Sequence, residues 1–131
     1  MKTQQSGFTL IELIAVIVVL GILAATALPK FVDMSGAAAQ AAVDGVAGNV
    51  TSAAAMNYAN GVALSSGIVT GAAKVTIAKC SDVGGLIQGG LPTGYTVTGT
   101  DAAVATLGAT ASCTLTGKNS KTGTFQVIGV P

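Results

Sequence analysis

The chain has 131 residues and a formal net charge of +1; half of its residues are hydrophobic, only 4% are aromatic and none is histidine. This length accommodates one modest folded unit. The lack of histidine excludes the usual nucleophilic triads and most zinc sites, and the near-neutral charge predicts that nucleic acid is at most a weak partner. We therefore predict a chain that is not an enzyme, with no catalytic residue, no cofactor and no metal site.

The first predicted element is an apolar segment at residues 8–28. Of its 21 residues, 17 are apolar, and the exceptions are Thr9, Glu12, Gly21 and Thr26. About 20 helical residues cross the roughly 30 Å hydrocarbon layer of a bilayer, and Lys2 and Lys30 flank the segment. A secretory signal would have a shorter apolar region that ends in a small-residue cleavage site. The segment is therefore predicted to be a transmembrane helix.

Glu12 is the one charged residue inside this segment. A carboxylate in hydrocarbon costs about 3 kcal/mol on insertion scales and normally has a partner. Glu12 could lie near the end of the span and reach the lipid headgroups. Alternatively, it could neutralise a positive group on another copy of the same chain. Its position alone leaves both interpretations open.

The residues at the start of the apolar segment form a specific motif. Gly7 follows a short polar leader with one lysine and precedes the sequence Phe-Thr-Leu-Ile-Glu-Leu at residues 8–13. This motif resembles the processing and methylation motif of type IV pilins and type II secretion pseudopilins. The continuation from Pro29 to Val32 is similar to pilins of the mannose-sensitive haemagglutinin type. The resemblance is detailed over about the first 30 residues, including Gly21 and Pro29, and looser over the helical residues that follow. The rest of the chain resembles the family only in architecture.

The resemblance implies that a prepilin peptidase, which is also the N-methyltransferase, removes the leader at residues 1–7 and methylates Phe8. Cleavage after Gly7 creates an ammonium group four residues before Glu12, and the resemblance implies that the two charges pair between neighbouring subunits. Each charge is costly alone in an apolar setting, so a stagger that lets them meet is favoured. Glu12 and Phe8 are thus the predicted assembly residues.

The resemblance also implies where the subunit resides and what it contacts. It lies in the lipid bilayer of the bacterial inner membrane before assembly and in an extracellular or periplasmic filament afterwards. Its partners are further copies in a helical homo-oligomer, an inner-membrane assembly platform and a separate ATPase, since the chain has no nucleotide-binding motif. The filament would serve adhesion, twitching motility or DNA uptake. Two alternatives remain: a type II secretion pseudopilin and a membrane-anchored binding module that does not polymerise.

Beyond the span, the apolar pattern becomes periodic. Spacings of four, three, four and three residues define one stripe of a helix, formed by Ala39, Val43, Val46, Val50 and Ala53. We predict that an amphipathic helix occupies residues 29–60 and ends at Asn60-Gly61. Pro29 has no amide hydrogen, so it either ends the first helix or bends it. The resemblance favours one continuous helix that is kinked at Gly21 and Pro29.

From Gly61 the composition shifts to Gly, Thr, Ser and Val, which predicts a small β-rich head at residues 61–131. Strand patterns occur at residues 74–78, 95–98, 111–116 and 122–128, with a hairpin turn at 118–121 and a short helix at 81–88. The predicted fold class is α+β, with a long helix packed on an antiparallel sheet. The core candidates of this sheet are Tyr95, Leu115, Phe125 and Val127.

Cys80 and Cys113 are the two cysteines of the chain, and both follow the span on the side that is exported if Lys2 remains inside. Two such residues most simply form a disulfide. The alternative, a reactive thiol, lacks a supporting His or a Cys-x-x-Cys motif. Closing this loop would stabilise the fold by about 3 to 4 kcal/mol on the chain-entropy estimate. The resemblance suggests that the residues between the cysteines form a variable receptor or antigen region.

Overall fold

A computed structural model describes residues 7–71, 73–99 and 101–131. It consists of a long helix, α1 (Leu10–Ser65), and a three-stranded antiparallel sheet, whose strands are β1 (Thr96–Thr98), β2 (Thr110–Thr116) and β3 (Thr122–Ile128). Two short 3-10 helices occupy Cys80–Leu86 and Lys118–Ser120. This arrangement confirms the predicted α+β class. Of the predicted leader, residues 1–6 lie outside the described residues.

The chain divides into two compact units, one up to Gly36 and one at Ala37–Pro131. The first unit contains the N-terminal part of α1, and its large apolar side chains are exposed along the whole of this part. Pro29 lies inside α1, so it does not end the first helix. The predicted kink at Gly21 and Pro29 stays a prediction.

The predicted helix end at Asn60-Gly61 is wrong, because α1 continues to Ser65. The true stop is Gly67, which has a φ of 68°. The Gly67 N–H bonds the Leu64 carbonyl (3.1 Å) and the Ile68 N–H bonds the Ala63 carbonyl (3.0 Å), which is a Schellman motif. Gly61 is instead buried, and a Cβ there would lie 2.7 Å from a methyl of Val130. The absence of a side chain at Gly61 permits this close packing with Val130, so Gly61 does not act as a stop signal for the helix.

The sheet confirms three of the four predicted strands. β2 pairs with both neighbours in the order β1-β2-β3, with Thr96 opposite Thr116 and Thr116 opposite Thr122. The predicted turn between β2 and β3 is present, and Asn119 and Ser120 each adopt a φ of 55° in it. Every second residue of β2 and β3 faces the core, while threonines dominate the opposite face of the sheet, as expected for a sheet that is solvated on one side.

The predicted strand at residues 74–78 is wrong, because the hydrogen bonds of this segment go to different partners. Val75 bonds the side chain of Asn57 with both its N–H (2.7 Å) and its carbonyl (2.8 Å). Ile77 instead forms an isolated antiparallel bridge with Val130. A side-chain amide of α1 thus replaces the neighbouring strand that a continuous ladder requires.

The predicted helix at residues 81–88 exists as the 3-10 helix Cys80–Leu86. Asp82 stabilises its start, since one carboxylate oxygen accepts the N–H groups of Ala78 (2.9 Å) and Lys79 (3.0 Å). This places an acidic side chain at a helix N-terminus, where unpaired N–H groups need acceptors.

The core of the second unit lies between α1 and the buried face of the sheet. Leu115, Phe125 and Val127 are buried as predicted, whereas Tyr95 is only half-buried. The buried stripe of α1 also differs from the predicted one, because only two of the five predicted positions are fully buried. The buried residues of the helix are Val43, Ala47, Val50, Ala54, Asn57 and Gly61.

Two side chains of α1 bond the outer edge of β3. The Gln40 amide donates to the Thr122 carbonyl (2.9 Å), and the Gln126 N–H donates to the Thr51 hydroxyl (3.2 Å). An uncovered strand edge is a template for pairing with other chains. The helix therefore both completes the core and protects this edge of the sheet.

The predicted disulfide between Cys80 and Cys113 is present, with Cα atoms 5.9 Å apart. Both residues are buried in the core. The bond joins the first turn of the 3-10 helix to the middle of β2. It therefore links the irregular segment after α1 to the regular sheet.

We expect the double substitution Cys80→Ser and Cys113→Ser to lower the free energy of unfolding by about 3 to 4 kcal/mol, because the unfolded chain regains its loop entropy. Urea unfolding of the full chain in detergent, followed by near-ultraviolet circular dichroism, measures this. A reducing agent should destabilise the wild type to a similar extent and leave the variant unchanged. Equal stability of the wild type with and without reductant would contradict the prediction.

Asn57→Ala should lower the free energy of unfolding by about 2 kcal/mol, because the Val75 N–H and carbonyl lose their partners. Asn49→Ala is the matched control, since Asn49 lies exposed on the same helix, and an exposed substitution changes stability by about 0.5 kcal/mol or less. The same urea experiment measures both variants. Equal effects of the two substitutions would show that the Asn57–Val75 pairing contributes nothing specific.

Candidate functional site

The predicted cleavage site lies in exposed, non-helical chain. Gly7, Phe8 and Thr9 precede the first helical residue, Leu10. The Phe8 side chain is 90% exposed and Gly7 is also exposed. The peptide bond between Gly7 and Phe8 is therefore accessible and requires no unwinding of α1.

Thr9 and Glu12 form a reciprocal cap at the start of α1. The Glu12 carboxylate accepts the Thr9 N–H (2.8 Å) and the Thr9 hydroxyl (2.7 Å), while the Glu12 N–H donates to the Thr9 hydroxyl oxygen (3.3 Å). This is a capping box, in which an N-cap Thr and a Glu three residues later satisfy each other's backbone groups. The sequence signature of this cap is Thr-x-x-Glu at residues 9–12, a signal that the interpretation of Glu12 alone missed.

The cap gives the Glu12 carboxylate hydrogen-bond partners within its own chain and leaves part of its acceptor capacity unused. Both hydrogen bonds from Thr9 go to one oxygen, Oε2, and within the described residues Oε1 accepts none. An ionised carboxylate has about four acceptor positions, so the group keeps capacity for a further donor. The unpaired N–H groups of the helix N-terminus also favour a negative charge here.

The helix that follows this cap is apolar and unburied. Of the described residues, α1 contains the one stretch that is long and apolar enough to cross a membrane, and none of that stretch is buried within the chain. A shallow apolar groove lies on one side of it and is lined by Ala15, Val16, Val19 and Leu20. Such a surface requires lipid or other apolar helices around it.

The second unit contains one ion pair among its described residues, between Lys79 and Asp101 (3.4 Å). Asp101 also accepts the N–H (2.9 Å) and the hydroxyl (3.0 Å) of Ser81. The Ser81 backbone bond is the main cause that lowers the pKa of Asp101 below its ordinary value, with smaller contributions from the Ser81 hydroxyl and Lys79. These contacts connect Asp101 to the 3-10 helix Cys80–Leu86. Because the groups are exposed, the ion pair contributes little to stability.

No group of three or more metal-ligating side chains occurs within residues 7–71, 73–99 and 101–131. Asp82 and Asp101, two ionisable groups of the second unit, instead make structural contacts. The site residues predicted from the sequence therefore fall in three places. Gly7, Phe8 and Glu12 lie at or just before the start of α1, Gly21 and Pro29 lie within α1, and Cys80 and Cys113 form a structural bond in the core.

A family model described as the prokaryotic N-terminal methylation motif matches residues 2–28. The type IV narrow pilus major component PilA5 of Thermus thermophilus is 42% identical over 98 residues, which are 75% of this chain and 73% of that protein.

Two further relatives match over a shorter region. The type IV major pilin protein PilE1 of Neisseria gonorrhoeae and a fimbrial protein of Neisseria meningitidis are each 58% identical over 38 residues. That region is 29% of this chain and 23% and 22% of the two relatives. No solved structure matches the chain. Because the identity to the Thermus protein extends far beyond the methylation motif and over most of both chains, this chain belongs to the type IV pilins.

Proposed function

We propose that this chain is the repeating subunit of a type IV pilus and that it polymerises through the apolar part of α1. The observation that carries this proposal is the exposed apolar stretch that begins with the Thr9–Glu12 cap. The named role of the Thermus relative, a major component of its pilus, supports a repeating role here. Adhesion, twitching motility or DNA uptake would be activities of the assembled filament.

The hydrophobic effect determines how such a subunit can leave the membrane. Seventeen apolar residues lie between Phe8 and Leu28, and each large side chain costs roughly 1.5 to 3 kcal/mol when it is exposed to water. The helix therefore does not pass into solvent. It can pass from lipid into a bundle of identical helices, because the two environments are similarly apolar. A filament with these helices at its centre follows, and a separate ATPase and membrane platform supply the work.

We further propose that prepilin peptidase cleaves between Gly7 and Phe8 and that Phe8 is N-methylated. The exposed, non-helical conformation of these residues supports this step. The capping box survives cleavage, because Thr9 and Glu12 both remain in the mature chain. Oε1 of Glu12 is then the acceptor for the new ammonium group of a neighbouring copy, so the acid both caps its own helix and sets the stagger between subunits.

The proposed parts of the chain follow from these roles. The leader is residues 1–7, the transmembrane and assembly part of α1 is residues 8–28, and the rest of α1 leads to a head that contains the disulfide. The head begins after Ser65, later than the predicted Gly61, because α1 is longer than expected. Before assembly the subunit would reside in the inner membrane, and afterwards in the surface filament.

The processing proposal is tested by the intact mass of the protein isolated from its own cell envelope. We expect the mass of residues 8–131 plus one CH2, because the N-methyl group replaces a hydrogen, and minus two hydrogens for the disulfide. A Gly7→Leu variant, which changes the residue at the cleavage site, should retain the leader and serves as the control. An uncut wild-type chain would contradict the proposal.

Glu12→Gln is expected to abolish filaments while the subunit remains in the membrane. Gln can still accept the Thr9 N–H and preserve the capping box, but it has no charge for a neighbouring ammonium group. Thr9→Ala is the matched control, because it weakens the cap by about 1 kcal/mol and retains the carboxylate. Filament yield after shearing, with immunoblots of the membrane fraction, measures both.

The two variants separate the two roles of Glu12. If charge pairing sets the stagger, Glu12→Gln reduces the filament yield more than Thr9→Ala does. Wild-type yield from Glu12→Gln would show that the charge is dispensable and that the subunits assemble by another contact.

A further inference from the structure

The loop after α1 exposes two aliphatic side chains. Ile68 is 76% exposed and Val69 is 40% exposed, between Gly67 and Gly71, which have φ values of 68° and 78°. In a Schellman motif the residue at the position of Ile68 commonly packs against the last turn of the helix. Here it points into solvent instead. We call residues 67–71 the apolar loop.

A separate recess lies on the same unit, between α1 and the segment at residues 73–75. Its volume is about 220 Å³, and it is lined by Ala53, Met56, Asn57, Asn60, Ala73, Val75 and Leu86. An engineered cavity of about 150 Å³ in another protein binds benzene, so this recess is large enough for a branched aliphatic side chain. Met56, at its rim, is 72% exposed.

The two side-chain amides in the recess bond main-chain groups of the same chain. The Asn57 amide bonds the N–H and carbonyl of Val75, and the Asn60 amide donates to the Ala73 carbonyl (3.5 Å). Within the described residues, no buried side-chain polar atom lacks a hydrogen bond. The NH2 groups of both amides are thus occupied by main-chain carbonyls. The rest of the lining is the aliphatic surface of Ala53, Met56, Ala73, Val75 and Leu86, which suits an apolar side chain.

We propose that the apolar loop of one copy inserts Ile68 into the recess of a neighbouring copy in the filament. This inference rests on the proposed function. The large exposed apolar residues of the second unit, among those described, are Met56, Ile68, Val69 and Leu107. Two of them belong to the loop and one to the recess rim, so the chain itself presents both halves of the contact.

The loop and the recess are formed by different residues, and this property determines the type of assembly. A contact between two different surfaces is heterologous, and it propagates into an open helical array when the rotation does not close. A self-complementary patch would instead stop at a dimer. The pair of surfaces is thus of the kind that a filament requires.

The contact is expected only within the filament. One buried aliphatic side chain is too small a contact to offset the loss of translational and rotational freedom when two free subunits associate. Subunits whose α1 helices already pack together are held at high effective concentration, so the same contact then forms. Purified monomers in detergent should therefore not associate through the loop.

Paired cysteines test this contact directly. Filaments of the Ile68→Cys, Met56→Cys double variant, treated with a mild oxidant, should give a ladder of covalent multimers on non-reducing gels. The native cysteines are joined to each other, so the described residues offer no competing free thiol. The matched control pairs Ile68→Cys with Asn119→Cys, which lies exposed in the β2–β3 turn. This control and detergent-solubilised monomers should give no ladder.

A second pair of variants decides the outcome if the double-cysteine variant does not assemble. Ile68→Asp should lower filament yield roughly tenfold or more, because the lost burial applies at every subunit, whereas Thr70→Asp, a charge in the same loop, should not. Both variants should retain wild-type unfolding of the monomer. Filaments that form without a ladder, or equal yields from the two Asp variants, would overturn the loop contact. The failure of wild-type chains to form filaments would instead overturn the proposed function.

Discussion

The exposed apolar surface of the first part of α1 is the constraint on which the behaviour of this chain depends. In the described structure nothing of the chain covers this surface, and the hydrophobic effect excludes its exposure to water. The subunit must therefore exchange one apolar environment for another whenever it moves. The membrane and the filament centre are the two environments that the proposed function requires, and a soluble intermediate is not one of them.

Under the proposed function, a single acidic residue gives this otherwise unspecific apolar surface a preferred register. Apolar helices can slide along one another at little cost, because dispersion contacts have no strong direction. The Thr9–Glu12 cap holds the carboxylate at a defined place on the helix and leaves one oxygen for an external donor. Processing that creates an ammonium group beside this cap would thereby couple cleavage to assembly, since the uncut chain lacks the donor.

The second unit shows how a small, aromatic-poor core is held together. Aliphatic packing between α1 and the sheet is supplemented by the disulfide and by side chains of α1 that bond main-chain groups, notably Asn57 to Val75 and Thr51 to Gln126. These polar contacts bring an irregular segment and a strand edge onto the helix. The same arrangement forms the recess, so the proposed contact between copies depends on the bonds that stabilise the unit.

The sequence by itself determined the apolar span, the α+β class and three strands, because these depend on local composition and short-range periodicity. The processing motif followed from its resemblance to type IV pilins, and the cysteine pair followed because the chain has two cysteines. The sequence missed the end of α1, since Gly61 is a packing glycine and only the fold shows Val130 against it. It also predicted a strand at residues 74–78, because nothing local reveals that Asn57 bonds Val75. Tertiary structure decided these points, as it decided the recess, because each depends on residues far apart in sequence that become neighbours only when the chain folds.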